Sequence, residues 1–363
     1  MSDEIYKKLA KVLDTLPNGF PETENNVEIN LLKWVFTPEE AELFCDLRLT
    51  FETAEQIAER TGRPIEGLED LLNNMLEKGQ LMGAPLGGVM IFKMIPWVLG
   101  IYEFQAHCMT KEFAEMNKEF MPVFQKQFFS KTPQLMQTIP IEKDIPVNQE
   151  ALPFEKVSTI IENGLSWAVG ECVCKKEQTF LGNPCDRPLE VCMAIAPVPG
   201  AFETPRGNWK NVTKEYAYTK LKEAEEAALV HLTGNYQAGH FYICNCCKCC
   251  CGVLDGINKL GIPAKTVINS HYYAVIDQDL CTACGICAEE RCQVNAIFND
   301  YEDNYKIIKD DCIGCGLCIS TCPEEAISLL RKTEKDIVSP PDDEMDWFKK
   351  RGKVRNIDFS KYE

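Results

Sequence analysis

The amino-acid sequence predicts an α+β protein built from several domains. Its 363 residues are enough for two or three domains that each bury a core of their own. Helical patterns and one hairpin pattern fill the first part of the chain. Of its twenty cysteines, eighteen fall between Cys172 and Cys322, where a regular spacing marks the last eight. The helical and cysteine-rich parts are therefore predicted to be separate domains.

The charge and the start of the chain bear on partners and location. A net charge of −17 disfavours nucleic acid, because DNA binding depends on Lys and Arg, and it suits a partner with a basic docking face. Residues 1–10 are charged and lack an apolar secretory segment, so a reducing, cytoplasmic location is expected. The longest apolar stretch, residues 89–101, is too short and too interrupted to cross a bilayer, so no membrane span is expected.

Residues 1–30 are predicted to form one amphipathic helix, over about residues 4–16, followed by an irregular polar segment. Residues 31–105 then show three short helices and a β-hairpin. Thr37 and Thr53 are predicted helix caps, Pro64 starts the third helix, and Gly87-Gly88 turns the hairpin.

This order of elements resembles a winged-helix domain. The resemblance implies that the third helix would read the major groove of DNA. That helix is acidic, however, which would repel phosphates and favours protein contact or dimerisation instead. The acidic residues are Glu66, Glu69, Asp70 and Glu77.

The middle of the chain is predicted to be helical. Residues 106–150, with mixed aromatic, methionine and proline positions, are predicted to be a helical linker, and residues 151–270 a helical, cysteine-rich domain. Apolar residues at helical spacing predict a helix over residues 152–169, and a second is expected over residues 214–232. A short strand at residues 241–243 precedes the densest cysteine stretch.

Residues 271–332 contain two copies of one cysteine pattern. Three cysteines separated by two residues each are followed by a fourth in both copies: Cys281, Cys284, Cys287 and Cys292, then Cys312, Cys315, Cys318 and Cys322. Both copies contain Cys-Gly-x-Cys, and both place Ala-Ile four residues after the last cysteine. Three thiolates on one tight loop can take three corners of a four-iron cube, and the fourth must come from elsewhere.

This repeat resembles the bacterial ferredoxins that hold two [4Fe-4S] clusters, over residues 272–330. The resemblance implies a ferredoxin-like dicluster domain in which each fourth ligand comes from the other copy. One cluster would then be held by Cys281, Cys284, Cys287 and Cys322, and the other by Cys292, Cys312, Cys315 and Cys318. In a departure from the family pattern, four residues separate Cys287 from Cys292, and no proline follows Cys292. Zinc is the alternative occupant.

Ten cysteines lie upstream of the repeat and are candidate metal ligands. They are Cys172, Cys174, Cys185, Cys192, Cys244, Cys246, Cys247, Cys249, Cys250 and Cys251. Adjacent cysteines on an extended segment point to opposite faces, so one or two further iron–sulfur clusters are predicted, held by a subset of the ten. A four-cysteine zinc site and disulfides are the alternatives. Cys250-Cys251-Gly252 resembles half of the CCG motif of heterodisulfide-reductase-type subunits, which implies a noncubane cluster.

The sequence does not decide the roles of two lysines and two histidines near these cysteines. Lys175 and Lys248 would offset negative charge or lie at the surface, and His240 and His271 would be ligands, proton relays or ordinary packed residues. No Gly-x-Gly-x-x-Gly motif indicates NAD or flavin binding, and no local signature indicates nucleophilic catalysis.

Residues 333–363 are predicted to be a C-terminal docking tail with a short helix over residues 342–350. Trp347, Phe348 and Phe359 are a large apolar load for a free tail, so contact with a partner is expected.

The favoured function is electron transfer by a multi-cluster iron–sulfur protein of an anaerobe, as a subunit or reductant of a larger oxidoreductase. Whether the chain is itself an enzyme stays open. In one alternative the upstream cysteines form a catalytic iron–sulfur site that reduces a substrate such as a disulfide. In another the protein is a redox-sensing winged-helix regulator.

Overall fold

The protein is a mixed helix and sheet molecule, known here from a computed structural model that describes residues 2–142, 152, 155–203, 207–300 and 304–363. Across these residues, none of the helices combines the length and the apolar character that crossing a bilayer demands.

The N-terminal part consists of short helices and a small sheet. Its elements are α1 (Ser2–Thr15), α2 (Val27–Val35), α3 (Pro38–Phe44), β1 (Glu52–Thr53), α4 (Ala54–Thr61), α5 (Leu68–Glu77), β2 (Met82–Leu86), β3 (Val89–Lys93) and α6 (Tyr102–Phe104). Thr37 and Thr53 each cap a helix through a reciprocal bond with the residue three positions on, which explains why α3 and α4 begin where predicted. The strands pair in the order β1-β3-β2. The winged-helix assignment of this part stays a proposal.

Helix α7 (Lys111–Phe129) follows, in the segment predicted as a linker. One face of α7 is buried through Phe113, Phe120, Phe124 and Phe128, so the helix packs into the molecule along its length. Strand β4 (Met136–Thr138) then enters the large sheet. The end of the predicted linker, residues 143–150, lies outside the described residues.

The middle of the chain forms a seven-stranded sheet flanked by helices. Its further elements are α8 (Val157–Glu162), β5 (Ser166–Glu171), α9 (Val173–Phe180), β6 (Glu190–Ala196), β7 (Lys210–Val212), α10 (Lys214–Glu226), β8 (Val230–Gly234), β9 (Tyr242–Cys246), α11 (Gly252–Asn258), α12 (Ala264–Val267) and β10 (Ile268–Asn269). The strand order is β10-β4-β8-β9-β6-β5-β7, with β10 parallel to β4 and the other pairs antiparallel.

The expectation of a helical middle domain is therefore wrong. The helix predicted over residues 152–169 ends at Glu162, and residues 166–171 are strand β5. Gly164 follows that helix because a Cβ there would lie 2.6 Å from the side chain of Ile195. The helix predicted over residues 214–232 likewise ends at Glu226, before strand β8, whose five residues are all buried. In β8 the polar residues His231 and Thr233 are buried together with Val230 and Leu232, and a strand this short is not separated from the end of a helix by local periodicity.

The last cysteine-rich part is held together by two small antiparallel sheets. Strand β11 (Tyr272–Ile276) pairs with β14 (Ile327–Arg331), and β12 (Ile297–Asn299) pairs with β13 (Tyr305–Ile307). The first pair joins the two ends of the repeat, which brings the fourth cysteine of the second copy back to the start of the first copy.

The expectation of a docking tail is wrong for the C-terminal helix α13 (Glu344–Arg355), because the chain itself covers its apolar side chains. Trp347 is 3% exposed, and its indole donates a hydrogen bond to the Gln134 carbonyl at 2.8 Å. Arg351 is fully buried, where it donates to the carbonyls of Phe128, Lys131 and Pro133. The tail is thus part of the protein core.

Candidate iron–sulfur centres

The two copies of the repeat build two separate four-cysteine sites. The first quartet is Cys281, Cys284, Cys287 and Cys322, which line one cavity of about 350 Å³. The second quartet is Cys292, Cys312, Cys315 and Cys318, which line another of about 360 Å³. In each quartet the fourth thiol comes from the other copy of the repeat.

The thiols of the quartets are shielded from water to different degrees. Burial, together with the negative charge of the neighbouring thiols of its quartet, raises the pKa of Cys287 to about 11. Burial raises the pKa of Cys315 in the second quartet to about 12. Cys284 is exposed, so the first quartet reaches the surface. A metal that bound these thiols would favour their deprotonated form, against the effect of burial.

Glycine allows the loops to turn around each cavity. Gly285 and Gly316, in the Cys-Gly-x-Cys of each copy, have φ of 81° and 82°, which L side chains rarely adopt. A Cβ on Gly314 would also lie 2.4 Å from the Tyr272 carbonyl oxygen. The repeated glycines are thus required by the backbone path.

The Ala-Ile pair of each copy has a matching role at sulfur. The backbone N–H of Ala296 donates to Cys292 Sγ at 3.2 Å, and that of Ala326 donates to Cys322 Sγ at 3.3 Å. Hydrogen bonds to ligand sulfur stabilise added negative charge and so tune a cluster's potential. The two quartets receive the same donor from equivalent positions.

A wide helical turn absorbs the extra residue between Cys287 and Cys292. Residues Cys287–Arg291 form one turn closed by the Cys292 N–H on the Cys287 carbonyl at 3.0 Å, five residues apart. Both cysteines are buried and each faces its own quartet. The departure from the family spacing is thereby accommodated without displacing either thiol.

The ten upstream cysteines separate into a group of four and a group of six. The first group, called here the compact tetrad, is Cys185, Cys247, Cys249 and Cys250, whose Sγ atoms all lie within 4.8 Å of one another. The second, called here the six-thiol group, is Cys172, Cys174, Cys192, Cys244, Cys246 and Cys251.

The six-thiol group lies where strands of the sheet meet two helix starts. Thiol contacts link its members in a chain that runs Cys192, Cys172, Cys174, Cys251, Cys246 and Cys244. Cys244 and Cys246 lie two residues apart on β9, so they share one face. Cys172 and Cys251 directly precede α9 and α11. Hydrogen bonds from the Cys174 and Cys192 thiols lower the pKa of Cys172, against burial.

A cavity of about 710 Å³, a volume that includes space open to solvent, adjoins the six-thiol group and is about twice the volume at either quartet. Its other walls are largely apolar and come from the N-terminal part and α7, including Val98, Leu99, Met121 and Phe124. Glu103 is the acidic residue of this wall, and burial raises the pKa of its carboxyl to about 8. Glu103 was not identified from the sequence, because its residue type and spacing match no motif.

Lys175 lies among the upstream thiols. It is 2% exposed, and its Nζ has no hydrogen-bond partner among the described residues. Burial lowers its pKa, but Cys172 and Cys247 thiolates outweigh this, so the net pKa is raised and the ammonium form is favoured. Lys248, in contrast, is half-exposed and donates to Asn295 Oδ1 at 3.4 Å. Of the two lysines singled out in the sequence, Lys175 is thus the buried charge.

The two flanking histidines make contacts away from sulfur. His240 stacks on Tyr236 with ring centroids 5.0 Å apart, and its Nδ1 lies 3.2 Å from the Thr233 hydroxyl. His271 Nδ1 contacts the Glu155 carboxylate, and its Nε2 lies 3.2 Å from the Val338 carbonyl. Neither histidine lines the cavities described above.

Direct hydrogen bonds join the segment of the upstream cysteines, and the end of α10, to residues next to the second quartet. Between Cys247 and Cys249, the backbone N–H of Lys248 donates to Gln293 Oε1 at 3.0 Å, and Gln293 is the residue after Cys292. Arg291 donates to the Leu317 carbonyl and to the carbonyls of Glu225 and Glu226 at the end of α10. Because Arg291 and Gln293 match no motif, the sequence did not identify them.

Comparisons with known proteins agree with the repeat. Residues 274–329 match the family described as a 4Fe-4S dicluster domain. The chain is 33% identical over 101 residues to an uncharacterized ferredoxin of Methanocaldococcus jannaschii, covering 28% of this chain and 58% of that relative. It is 36% identical over 71 residues to pyruvate synthase subunit PorD of the same organism, covering 20% of this chain and 81% of that subunit. The chain spans less than two thirds of the first relative, and no solved structure matches it.

Proposed function

Because the chain belongs, through residues 274–329, to the 4Fe-4S dicluster family, we propose that it is a multi-cluster electron-transfer protein working with a larger oxidoreductase. The role of subunit or reductant is supported by the similarity to a protein named as a subunit of pyruvate synthase. A cytoplasmic, oxygen-poor setting is part of the proposal, since exposed Cys249 and Cys284 would be open to oxidation.

The donor sets and cavities fit such cofactors. Each quartet offers four thiols around a cavity of similar size, about 350 and 360 Å³, which suits two [4Fe-4S] clusters. The six-thiol group offers more sulfur ligands beside a larger cavity, which suits a further iron–sulfur cluster. Such clusters supply one-electron transfer.

The observation that carries the proposal is the direct contact between the two cysteine-rich regions. The first quartet reaches the surface at Cys284, and the segment of the second is joined to the middle of the chain by Arg291, which donates to the carbonyls of Glu225 and Glu226. The Lys248 to Gln293 hydrogen bond then connects the segment after Cys292 to the upstream cysteines. This order suits a relay that begins at the exposed quartet and ends at the six-thiol group.

Iron and labile-sulfide quantitation after anaerobic purification tests the proposal. Two clusters in the quartets and one in the six-thiol group give about twelve irons and about twelve sulfides per chain. The double variant Cys244→Ser, Cys246→Ser should lose the upstream share while keeping the EPR signals of both quartets. The matched control Cys108→Ser changes an exposed cysteine distant in sequence and should lose nothing. About eight irons in the wild type, with the upstream variant unchanged, would contradict an upstream cluster.

A second candidate function is supported by the large apolar cavity. Its wall extends beyond the thiols to Val98, Leu99 and the buried carboxyl of Glu103, so a small apolar molecule has room beside the six-thiol group. In this alternative the upstream site reduces a substrate such as a disulfide. A change in the upstream EPR signal on addition of disulfides would favour this enzyme over a pure relay.

A winged-helix regulator receives less support from the surface of α5. Glu69, Asp70 and Glu77 are all exposed on this helix, where they would face DNA phosphates. Retention on DNA that changes with redox state is the result that would favour the regulator.

A further inference from the structure

We propose that the compact tetrad of Cys185, Cys247, Cys249 and Cys250 binds a single tetrahedral metal ion, zinc or iron, without inorganic sulfide. This centre is distinct in kind from the clusters of the quartets and the six-thiol group. It goes beyond the electron-transfer role and does not depend on it, because the argument uses the tetrad's own geometry.

The spacing of the sulfur atoms fits one ion at their centre. Cys249 Sγ lies 3.3 Å from Cys247 Sγ, 3.4 Å from Cys185 Sγ and 3.5 Å from Cys250 Sγ, and Cys185 Sγ lies 3.9 Å from Cys247 Sγ. Metal–sulfur bonds of about 2.3 Å in a tetrahedron place the sulfurs about 3.8 Å apart. A four-iron cube holds its thiolates further apart, because each iron stands out from the cluster centre.

The quartets provide an internal comparison. In the described part of the chain, the compact tetrad is the one set of three or more cysteine, histidine or acidic side chains whose ligand atoms approach this closely. The quartets of the dicluster domain, which share the donor type, are instead spread around cavities. The same chain therefore contains two thiol arrangements of different width.

The backbone presents the tetrad from two segments, as closed structural metal sites commonly do. Cys247, Cys249 and Cys250 lie on a tight turn in which the N–H groups of Cys250 and Cys251 both bond the Cys247 carbonyl, at 3.3 and 3.1 Å. Cys185 comes from the loop between α9 and β6. On an extended segment, adjacent cysteines would point to opposite faces. The turn avoids this, because it directs the thiols of three of four consecutive residues to one point.

Two cationic side chains, Arg187 and Lys175, lie next to the tetrad, where the bound ion and its four thiolates would carry a net negative charge. Four thiolates around a divalent ion carry a net charge of −2. Arg187 Nη1 lies 3.7 Å from Cys249 Sγ on the exposed side. On the buried side, the ammonium of Lys175 has no hydrogen-bond partner among the described residues and lines a cavity with Cys247 and Cys250. An unpartnered buried cation is costly unless an anionic group faces it, and the loaded tetrad would supply such a group through Cys247, in addition to Cys172 of the six-thiol group.

The position of the tetrad gives the ion a structural consequence. Lys248, inside the turn, donates its N–H to Gln293 beside the second quartet. An ion that holds this turn would therefore fix the contact between the middle of the chain and the dicluster domain.

Metal analysis of the whole chain tests this proposal. The double variant Cys185→Ala, Cys249→Ala should lose one zinc or one iron per chain and no labile sulfide. The control Cys108→Ala should keep its full metal content. Loss of about four irons together with about four sulfides would show a cube and overturn the proposal, as would an unchanged metal content. EPR signals from the quartets report whether the variant has folded.

A measurement on the wild type keeps the test independent of variant folding. If the ion is zinc, X-ray absorption at the zinc edge should show four sulfurs at about 2.3 Å and no neighbouring metal. If it is iron, an isolated high-spin ferric EPR signal should appear on mild oxidation. A wild type that shows neither feature overturns the proposal. An iron ion in the tetrad would add one iron to the count of about twelve, but neither ion changes the labile-sulfide count of about twelve, which tests the electron-transfer role separately.

Discussion

At the scale of single residues, Lys175 is the buried charge that bears most directly on upstream potentials. An ammonium near ligand sulfur stabilises the more negative, reduced state of a cluster. We expect Lys175→Met to lower the upstream midpoint potential, on the order of tens of millivolts at the effective dielectric of a protein interior. An EPR-monitored redox titration measures this shift.

The neighbouring lysine supplies the control for that titration. Lys248 lies between tetrad cysteines in the sequence but is half-exposed and bonded to Asn295. Lys248→Met should change the upstream potential little, because solvent screens its charge. Equal shifts in the two variants would show that burial of Lys175 has no special effect.

His240 predicts a pH dependence of stability. Burial lowers its pKa from 6.5 to about 4, although a hydrogen bond to the Gln237 backbone carbonyl opposes the change. Below pH 6.5 the imidazole of His240 takes up a proton in the unfolded chain but not in the folded protein. The free energy of unfolding is therefore highest above pH 6.5 and decreases as the pH falls toward 4. From pH 7 to pH 5 the loss is about 2 kcal/mol.

The variant His240→Gln should remove this part of the pH dependence. Thermal melting at pH 7 and pH 5 measures it, and the drop in melting temperature should be smaller in the variant than in the wild type. His107→Gln, at an exposed histidine, serves as the control and should retain the wild-type drop. An equal drop in His240→Gln and the wild type would contradict the assignment.

At the scale of elements, helix α13 should contribute strongly to stability. Trp347 is buried against α7, with its ring 6.4 Å from that of Phe128. Trp347→Ala should destabilise the protein by about 3–5 kcal/mol, because it leaves a cavity and removes one of the two donors to the Gln134 carbonyl, the other being Asn235. Thermal melting checks this, with Val354→Ala on the same helix as an exposed control. A change no larger than that of the control would mean that α13 does not belong to the core.

The elements differ in how much of them the sequence predicts. Helices α3 and α4 begin directly after their N-caps Thr37 and Thr53. A cap depends on residues close in sequence, so the sequence is enough to predict it. Strand β5 was predicted as helix because Leu165 and Ala168 continued the apolar spacing of α8. Leu165 is 57% exposed, however, and β5 is defined by pairing with β6 and β7, which are distant in sequence. Pairings of this kind leave no local pattern.

At the scale of the whole molecule, Arg291 joins the dicluster domain to the middle of the chain. Arg291 is 7% exposed, and its guanidinium bonds carbonyls on both sides of this contact. Arg291→Met should weaken the contact by about 2–3 kcal/mol, since buried carbonyls lose charged donors. Faster hydrogen exchange at residues 225–227 and 248–251 would report the loosening. Lys335→Met, at an exposed lysine of the C-terminal segment, should leave exchange unchanged; equal exchange in both variants would contradict this role.

The sequence predicts the candidate sites with different completeness, again because some depend on nearby residues and others on distant ones. The quartets follow from a spacing repeated within one short segment, so the sequence contains nearly all of their geometry. The division of the upstream cysteines into four and six depends on how Cys185 and Cys192, seven residues apart, are directed by a loop and by β6. That direction is decided by the sheet, which the local pattern did not reveal.

The hydrogen bonds from Ala296 and Ala326 to sulfur have a consequence for how mutation can alter the protein. Both donors belong to the backbone, so replacing either side chain leaves the N–H in place, and only proline removes it. The contribution of these two hydrogen bonds to the cluster potentials therefore does not change in most single substitutions. Adjusting one quartet independently of the other would instead require altered charges around it, at positions where the two copies already differ.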